Sequence, residues 1–385
     1  MLEDVYVAGV GMHPFGKHGK SNKEMAYVAG KAALKDAGIK FRDVGALYNG
    51  YIMGDMTEGV AIAKDLGLTG VPVVHVENAS ATGSTAFREA CLRVASGEAD
   101  IAMALGFDDI VRMGQMMMQM YMAQGPRIES MVLPAAFFAM WAVRRTHEYG
   151  TSPEIYARIA AKNWNHARYN PMAQRQSDHE VTIEEVLASK PVAHPHTTMM
   201  ACATGGGAAC AIVTNKKWAK KLAAGRPLVR VLSSQLQSEQ YVDGHIFMGA
   251  VVGPSELTRS TSQACYEEAG LGPKDVSLVH VHDAFPIEEL MYYELMGFCG
   301  EGEGEKLVLE GATQIGGRIP FSTDGGLIAR GHPGDPTGLA QVWDATQQLR
   351  GESGKRQVEG AHTAAVHMMG AGSVCVMHML HRENA

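Results

Sequence analysis

The sequence predicts an α/β protein made of two similar halves, each a mostly parallel sheet with helices on both faces. Three observations carry this expectation. Short β-branched runs alternate with helix-period segments along the chain, the pattern of strand–helix–strand units. A helix–glycine–Asp-Val–strand unit occurs twice at an offset of 232 residues: Ala32, Asp36-Ala37-Gly38 and Asp43-Val44 match Ala264, Glu268-Ala269-Gly270 and Asp275-Val276. Two further helices, at another offset, both begin at a Thr-Gly pair, Thr82-Gly83 and Thr337-Gly338. This is duplication of two large units, not an array of short repeats.

Taken in order, the elements support that outline. A first strand, Val5–Val10, begins almost at Met1, which leaves no room for the charged region and cleavage site of a signal peptide. The glycines of Gly9–Gly16 lack the spacing of a dinucleotide loop. A helix over Lys23–Ala37 stops at Gly38, and a strand follows over Val44–Tyr48. Val71–Val76 reads as a buried strand, broken at Asn78-Ala79-Ser80. From there Ala86, Ala90, Leu92 and Val94 suit a helix ending at Gly97. Ser80 thus stands where a strand hands over to a helix. There the dipole and open N–H groups favour negative charge, although a serine at that place can also simply cap the helix.

Residues of about 110–200 read as an insertion in the first half. It opens with a methionine cluster (Met113, Met116, Met117, Met118, Met120 and Met122), suited to an acyl tunnel or a subunit interface and equally to plain helix filling. A helix over Ala135–Tyr149 stops at Gly150, and Ser152-Pro153 starts another. The glycines of Cys202–Cys210 precede a strand at Ala211–Thr214 and suit close backbone packing better than a phosphate cradle. Lys216–Arg226 is a basic connector. The expected domains are 1–225, including the insertion, and 226–385. The second half holds Val279-His-Val-His-Asp-Ala-Phe285, a strand ending in His-Asp, and the irregular Gly325–Gly338 stretch, which carries His332 into a helix over Leu339–Leu349.

Composition narrows the function classes. Apolar residues make up 46%, charged residues 19%, and the net charge of −7 is interspersed, which argues against nucleic acid and anionic membranes. There is no apolar run long enough for a membrane span. Six cysteines (91, 202, 210, 265, 299 and 375) form no Cys-x-x-Cys pair, so they read as buried thiols of a reducing, cytoplasmic setting.

Five motifs stand together: Asn-x-Ser-Ala-Thr-Gly-Ser at 78–84, His-Glu-Tyr-Gly at 147–150, His-Asp-Ala-Phe at 282–285, Gly-Gly-Arg-Ile-Pro at 316–320 and Gly-His-Pro at 331–333. In this order, over essentially the whole chain, they resemble the thiolase superfamily, closest to its sterol-carrier-protein-type and archaeal branches. The resemblance implies a five-layer αβαβα core with an inserted, mainly helical loop domain over the substrate. It implies Ser80 at the nucleophile position, His332 as its base and His282 in an oxyanion hole, with Gly331 and Gly370 bordering the substrate. Coenzyme A would be a substrate or product, with no tightly bound cofactor. The resemblance also implies a homodimer and, in some branches, a separate small OB-fold/zinc-ribbon partner. His147 matches a recurrent histidine but equally closes a helix. His280 and His282, two apart, would share a strand face and form a minor option for a metal.

The family's nucleophile is cysteine, whose thiol ionises readily at a helix N-terminus; a serine hydroxyl needs a positioned base. Either cysteine has been replaced here, or serine does the work, or the acyl-enzyme route is abandoned. The usual second cysteine is also missing: Met368 and Ala284 stand at its two usual places. His282 and His332 are left to move protons. The leading expectation is an acyltransferase that breaks or forms the α–β carbon bond of a 3-oxoacyl-CoA. The alternatives are a retro-aldol lyase on a 3-hydroxyacyl-CoA and a non-catalytic CoA- or lipid-binding subunit. Tyrosines at the histidine positions would favour the lyase, and this chain keeps both histidines.

Overall fold

The computed structural model describes residues 2–52, 54–109, 111, 134–240 and 255–384. The methionine cluster lies outside them. The first half runs β1 (Val5–Gly16), α1 (Asn22–Ala37), β2 (Ala46–Gly50), α2 (Glu58–Leu66), β3 (Val73–Val76), α3 (Thr82–Ala95) and β4 (Ile101–Asp109). The insertion contributes α4 (Pro134–Tyr149), α5 (Pro153–Ala167), α6 (Ile183–Ala188) and the small hairpin β5 (Pro191–Ala193)–β6 (His196–Thr197). Next come β7 (Gly206–Asn215) and α7 (Lys216–Leu222), so the basic connector is itself helical, capped by Asn215, which accepts from the Trp218 N–H at 3.1 Å. The second half runs β8 (Leu228–Ser238), α8 (Ser255–Ala269), β9 (Leu278–His280), α9 (Pro286–Leu295), α10 (Gly304–Leu309), α11 (Gly326–Ala329), α12 (Thr337–Arg350), β10 (Thr363–Gly370) and β11 (Val374–Glu383).

Strand order is β3-β2-β4-β7-β1-β8-β11-β10-β9. Read outward from the β1–β8 seam, the two halves repeat the same pattern. β7 and β11 run antiparallel to both neighbours, whereas β2 and β9 run parallel to β4 and β10. An isolated parallel bridge from Val279 to Phe321 stands where the first half has β3. The seam is short and antiparallel, with Tyr6 opposite Arg230 and Val7 opposite Val229. The sheet is therefore mixed, not mostly parallel. The short β10–β11 connection forces an antiparallel pair, since a parallel one needs a long crossover.

The sequence repeat has a physical content. Gly38 (φ 69°) and Gly270 (φ 67°) end α1 and α8 in the left-handed region that favours glycine. In the one-turn helices that follow, the Asp43 carboxylate accepts the Lys40 N–H at 2.9 Å and the Asp275 carboxylate accepts the Gly272 N–H at 2.8 Å. One turn earlier, Asp36 accepts the Val10 N–H of β1 at 2.8 Å and Glu268 accepts the Ser234 N–H of β8 at 3.1 Å. Each repeated acid ties its helix or turn to backbone that would otherwise lack a partner.

The layers follow from period-2 alternation in the central strands. In β4, Ile101, Met103, Leu105 and Phe107 join a core with α1, whereas Ala102 and Ala104 join one with α3 and α12. β7 repeats this with Ala208, Cys210 and Ile212 against Ala209, Ala211 and Val213. Small residues on the inner faces let α3 and α12 lie between the two halves of the sheet, with α1 outside one and α8 outside the other. β3 departs from expectation. It is the edge strand, paired with β2 alone among the described residues, and Val74 and His75 are exposed.

At their N-termini α3 and α12 nearly touch: a Cβ on Gly83 would collide with the Asp335 carbonyl, and one on Gly338 with the Ser84 hydroxyl. This crossing brings two distant loops together. Gly83→Ala should therefore destabilise the fold by about 1–2 kcal/mol in urea denaturation. Helix propensity favours alanine by about 1 kcal/mol, but overpacking costs about 1–3 kcal/mol, and a backbone obstacle places this site at the upper end.

Candidate active site

Ser80 leaves β3 in a loop held by its own neighbours. Ala79 takes a left-handed φ of 47°. The Asn78 N–H donates to Thr82 Oγ1 at 2.8 Å, its side-chain amide donates to Thr85 Oγ1 at 2.9 Å, and the Ala79 N–H donates to Glu77 at 2.6 Å. The helix-cap position is Ala81, without a side-chain cap bond, so Ser80 does not cap α3. Its Oγ lies 3.1 Å from His332 Nε2.

His332 is held by its own N–H, which donates to the Ala203 carbonyl at 2.7 Å, and by Gly331, whose φ of 119° suits glycine. His332 Nδ1 lies 2.9 Å from Thr337 Oγ1, and that hydroxyl donates its one proton to the Gly334 carbonyl at 2.6 Å. Thr337 can then only accept from His332, so Nδ1 carries the proton and the Nε2 lone pair faces Ser80. Burial, followed by the nearby His282 and Arg330, pushes the His332 pKa well below its ordinary value. The ring is neutral and able to take a proton from the Ser80 hydroxyl.

The His282 ring stands at 90° to that of His332, with centroids 5.3 Å apart. His282 Nδ1 pairs with Glu288 at 2.9 Å, and Glu288 also accepts the Ala284 N–H at 2.8 Å and the Tyr292 hydroxyl at 3.1 Å. With Nδ1 committed, Nε2 is the atom left for other chemistry. Asp283 accepts the Leu327 N–H at 2.8 Å and the Asn163 amide at 2.7 Å, which joins the His282 strand end, α11 and α5 of the insertion. A Cβ on Gly326 would collide with the Asp283 carboxylate.

Ser80, His332 and His282 therefore form one chain of neighbours. Gly331 shapes the backbone before His332. Gly370 supports the Ser80 loop from below: a Cβ there would collide with the Asn78 carbonyl, while Met368, Ala81 and Val376 share a small core. His147 is exposed in the last turn of α4.

His280 and His282 do not share a face. β9 ends at His280, whose Nε2 lies 3.2 Å and Nδ1 3.6 Å from Asp344 and Asp324. These three could hold a metal ion by ligand type and proximity, all within 4.8 Å. However, Asp324 is paired with Arg330 and Asp344 with Arg356 and Thr323, so two guanidinium groups already neutralise the buried carboxylates. The cluster is charge-balanced core.

Sequence reasoning missed the roles of Thr337 and Glu288. Thr337 was visible only as half of a repeated Thr-Gly pair. Glu288, in the first turn of α9, reads as a dipole-matched acid until the fold returns it to His282.

Family comparison agrees with this geometry. Residues 5–215 match the thiolase N-terminal domain, and residues 245–381 match the thiolase C-terminal domain-like family. The chain is 35% identical over 395 residues to sterol carrier protein 2 of Homo sapiens, covering 98% of this chain and 71% of that one. It is 34% identical over 380 residues to benzoylsuccinyl-CoA thiolase subunit BbsB of Thauera aromatica, covering 96% and 95%. Among solved structures, an Ltp2–ChsH2(DUF35) aldolase superposes with a TM-score of 0.82 at 24% identity, covering 98% of each chain, a likeness of fold. With both thiolase domains matched and relatives aligned over nearly its whole length, the chain belongs to the thiolase superfamily.

Proposed function

We propose that this protein is a thiolase-type acyltransferase that breaks or forms the α–β carbon bond of a 3-oxoacyl-CoA, with Ser80 as nucleophile. The observation that carries the reading is the Ser80 Oγ–His332 Nε2 pair with Thr337 behind it. A serine hydroxyl is a weak acid and needs an oriented neutral base; this serine faces one.

In the cleavage direction His332 Nε2 takes the hydroxyl proton as Oγ adds to the 3-oxo carbon. The tetrahedral oxyanion needs a donor, and His282 Nε2 serves when that ring is protonated against Glu288. Collapse breaks the bond between the α- and β-carbons. The electron pair leaves on the α-carbon, which takes up the proton held on His332 Nε2, and the acyl group stays on Ser80 as an ester. The thiol of coenzyme A then gives its proton to His332 and attacks the ester; Oγ leaves and recovers a proton. Coenzyme A enters as a substrate, and no tightly held cofactor is part of the scheme.

We extend the proposal to assembly. The exposed edge of β3 would pair with a second copy; the relative named as a thiolase subunit supports a separate partner protein, which we take to be of the small OB-fold/zinc-ribbon type. Among the described residues no helix is long and apolar enough to cross a membrane. Six free cysteines fit a reducing, cytoplasmic setting.

Intact-protein mass spectrometry after incubation with 3-oxoacyl-CoAs should detect an acyl adduct on the Ser80 peptide. Ser80→Ala should lack it, and Ser80→Cys should raise thiolytic turnover by orders of magnitude. If Ser80→Ala still cleaves a 3-hydroxyacyl-CoA at full rate while His282→Ala and His332→Ala do not, the chemistry is retro-aldol and the proposal fails.

Thr337→Val removes the acceptor that sets the His332 tautomer. A general base contributes about 10²–10⁴-fold, and Thr337→Val should lower kcat by roughly tenfold or more, with Thr337→Ser restoring it. Because the base must be neutral and its folded pKa lies below the ordinary value, wild-type kcat should hold as pH falls through 6.5 and decline only at lower pH.

A further inference from the structure

We infer that Asp108 and Asp335 share one proton, and that this pair is a positioning device that fixes the Ser80 loop against the His332 loop. The inference about positioning rests on the reading of Ser80 and His332 as nucleophile and base; the shared proton does not.

Asp108, at the end of β4, and Asp335, three residues after His332, are 2% and 0% exposed. Each has one satisfied carboxylate oxygen. Asp108 Oδ1 accepts the Asp109 N–H at 2.7 Å, and Asp335 Oδ2 accepts the Ile52 N–H. Each also has one orphan, Asp108 Oδ2 and Asp335 Oδ1, which meet no donor among the described residues. The two side chains lie within hydrogen-bonding reach of each other. Two carboxylates cannot bond, because both only accept; one proton between them satisfies both carboxyl groups. Leaving them ionised would place two adjacent anions in a buried site.

Glu58 of α2, Glu77 of the Ser80 loop and Asp109 of β4 all raise the affinity for a proton. On the β2 side Tyr51 is stacked between His75 and Phe107, and His75 is bonded to the Tyr51 carbonyl at 2.6 Å. Burial, with these acids, pushes Asp108 up to about 7; burial and then Asp108 hold Asp335 well above the usual carboxylate range.

Asp335 touches both catalytic loops. Its carbonyl stands against Gly83, next to Thr82, whose Oγ1 accepts the Asn78 N–H that closes the Ser80 loop. Its carbonyl lies over Gly83 and Gly106, and a Cβ on Gly106 would stand 2.9 Å from Pro336 Cα. With its proton, the pair fastens the His332 loop to β4, β2 and the Ser80 loop together. Without it, two like charges push the Asp335 end of that loop away.

Asp108→Asn tests this, because its amide donates to Asp335 without a titrating proton; Asp335→Asn is the second variant, should the first fail to fold. The sign is set by linkage. A carboxyl with a raised folded pKa holds a proton that the unfolded chain releases, so stability falls as pH rises above about 4 and levels off above the folded pKa. Wild type should therefore lose up to tenfold in its folding equilibrium constant per pH unit, relative to either variant, between about pH 4 and pH 7. Parallel stability curves for wild type and both variants would overturn the shared proton. The positioning half is read by the rate at which a fluorophosphonate labels Ser80, which requires the His332 base but no knowledge of the acyl substrate. That rate should fall severalfold at alkaline pH in wild type and not in Asp108→Asn. Indistinguishable pH profiles would overturn the positioning role, whatever the outcome with acyl-CoAs.

Discussion

The closeness of α3 and α12 is the constraint from which the rest of this structure follows. Two helices from different halves meet where Gly83 faces the Asp335 backbone and Gly338 faces Ser84. For them to seat between the sheet halves, the inner faces of β4 and β7 must be small, and Ala102, Ala104, Ala209 and Ala211 stand there, while Ile101, Met103, Leu105, Phe107 and Ile212 face α1. The same closeness sets the loops entering the helices side by side. Ser80 precedes one and His332 the other, 252 residues apart in sequence and 3.1 Å apart in space. Packing of this kind tolerates little adjustment, because interiors are dense and transmit displacement.

Electrostatics then determines what the meeting point can do. The site is buried, and a low dielectric disfavours charge on any group without a partner. Among the described residues His332 has no carboxylate partner; a threonine hydroxyl orients it, and it stays neutral. His282 has Glu288, itself held by a backbone N–H and the Tyr292 hydroxyl. Two histidines with ring centroids 5.3 Å apart are thus given different partners: a threonine hydroxyl orients one and a carboxylate holds the other. Nearby carboxylates are handled separately. Those of Asp324 and Asp344 are neutralised by Arg330 and Arg356, and that of Asp283 is occupied by the Leu327 N–H and the Asn163 amide.

Much of this was legible in the sequence where backbone geometry demands particular residues. Gly38 and Gly270 announce helix ends, Asp43 and Asp275 announce the turns that follow, and the glycines around Ser80 and His332 announce close approach. Features set by distant partners were not. Val73–Val76 reads as a buried strand because its composition is apolar, yet its place at the sheet edge depends on strand order. The strands β7 and β11 look like any other apolar run, and their antiparallel direction depends on how the chain returns from β4 and β10. Thr337 is five residues from His332, but its role emerges only when its own proton is traced to Gly334. The expected common face of His280 and His282 is missing for a local reason: β9 ends at His280, two residues short of His282, so period 2 does not apply between them.

The serine at position 80 is best understood through its base. A cysteine thiolate at this place needs little more than the helix end and open N–H groups to ionise. Serine gains little from those alone, since its hydroxyl stays protonated until the moment of attack. What matters for serine is an acceptor already deprotonated, aimed and shielded from water, and burial supplies the first and third while Thr337 supplies the second. The same burial that depresses the His332 pKa makes it a weaker base, so proton transfer costs more as the ring becomes easier to keep neutral. Compensation has to come from stabilising the oxyanion as it forms. His282, held by Glu288, stands beside His332 with ring centroids 5.3 Å apart, so in the proposed oxyester route that histidine, rather than the serine itself, would carry this stabilisation.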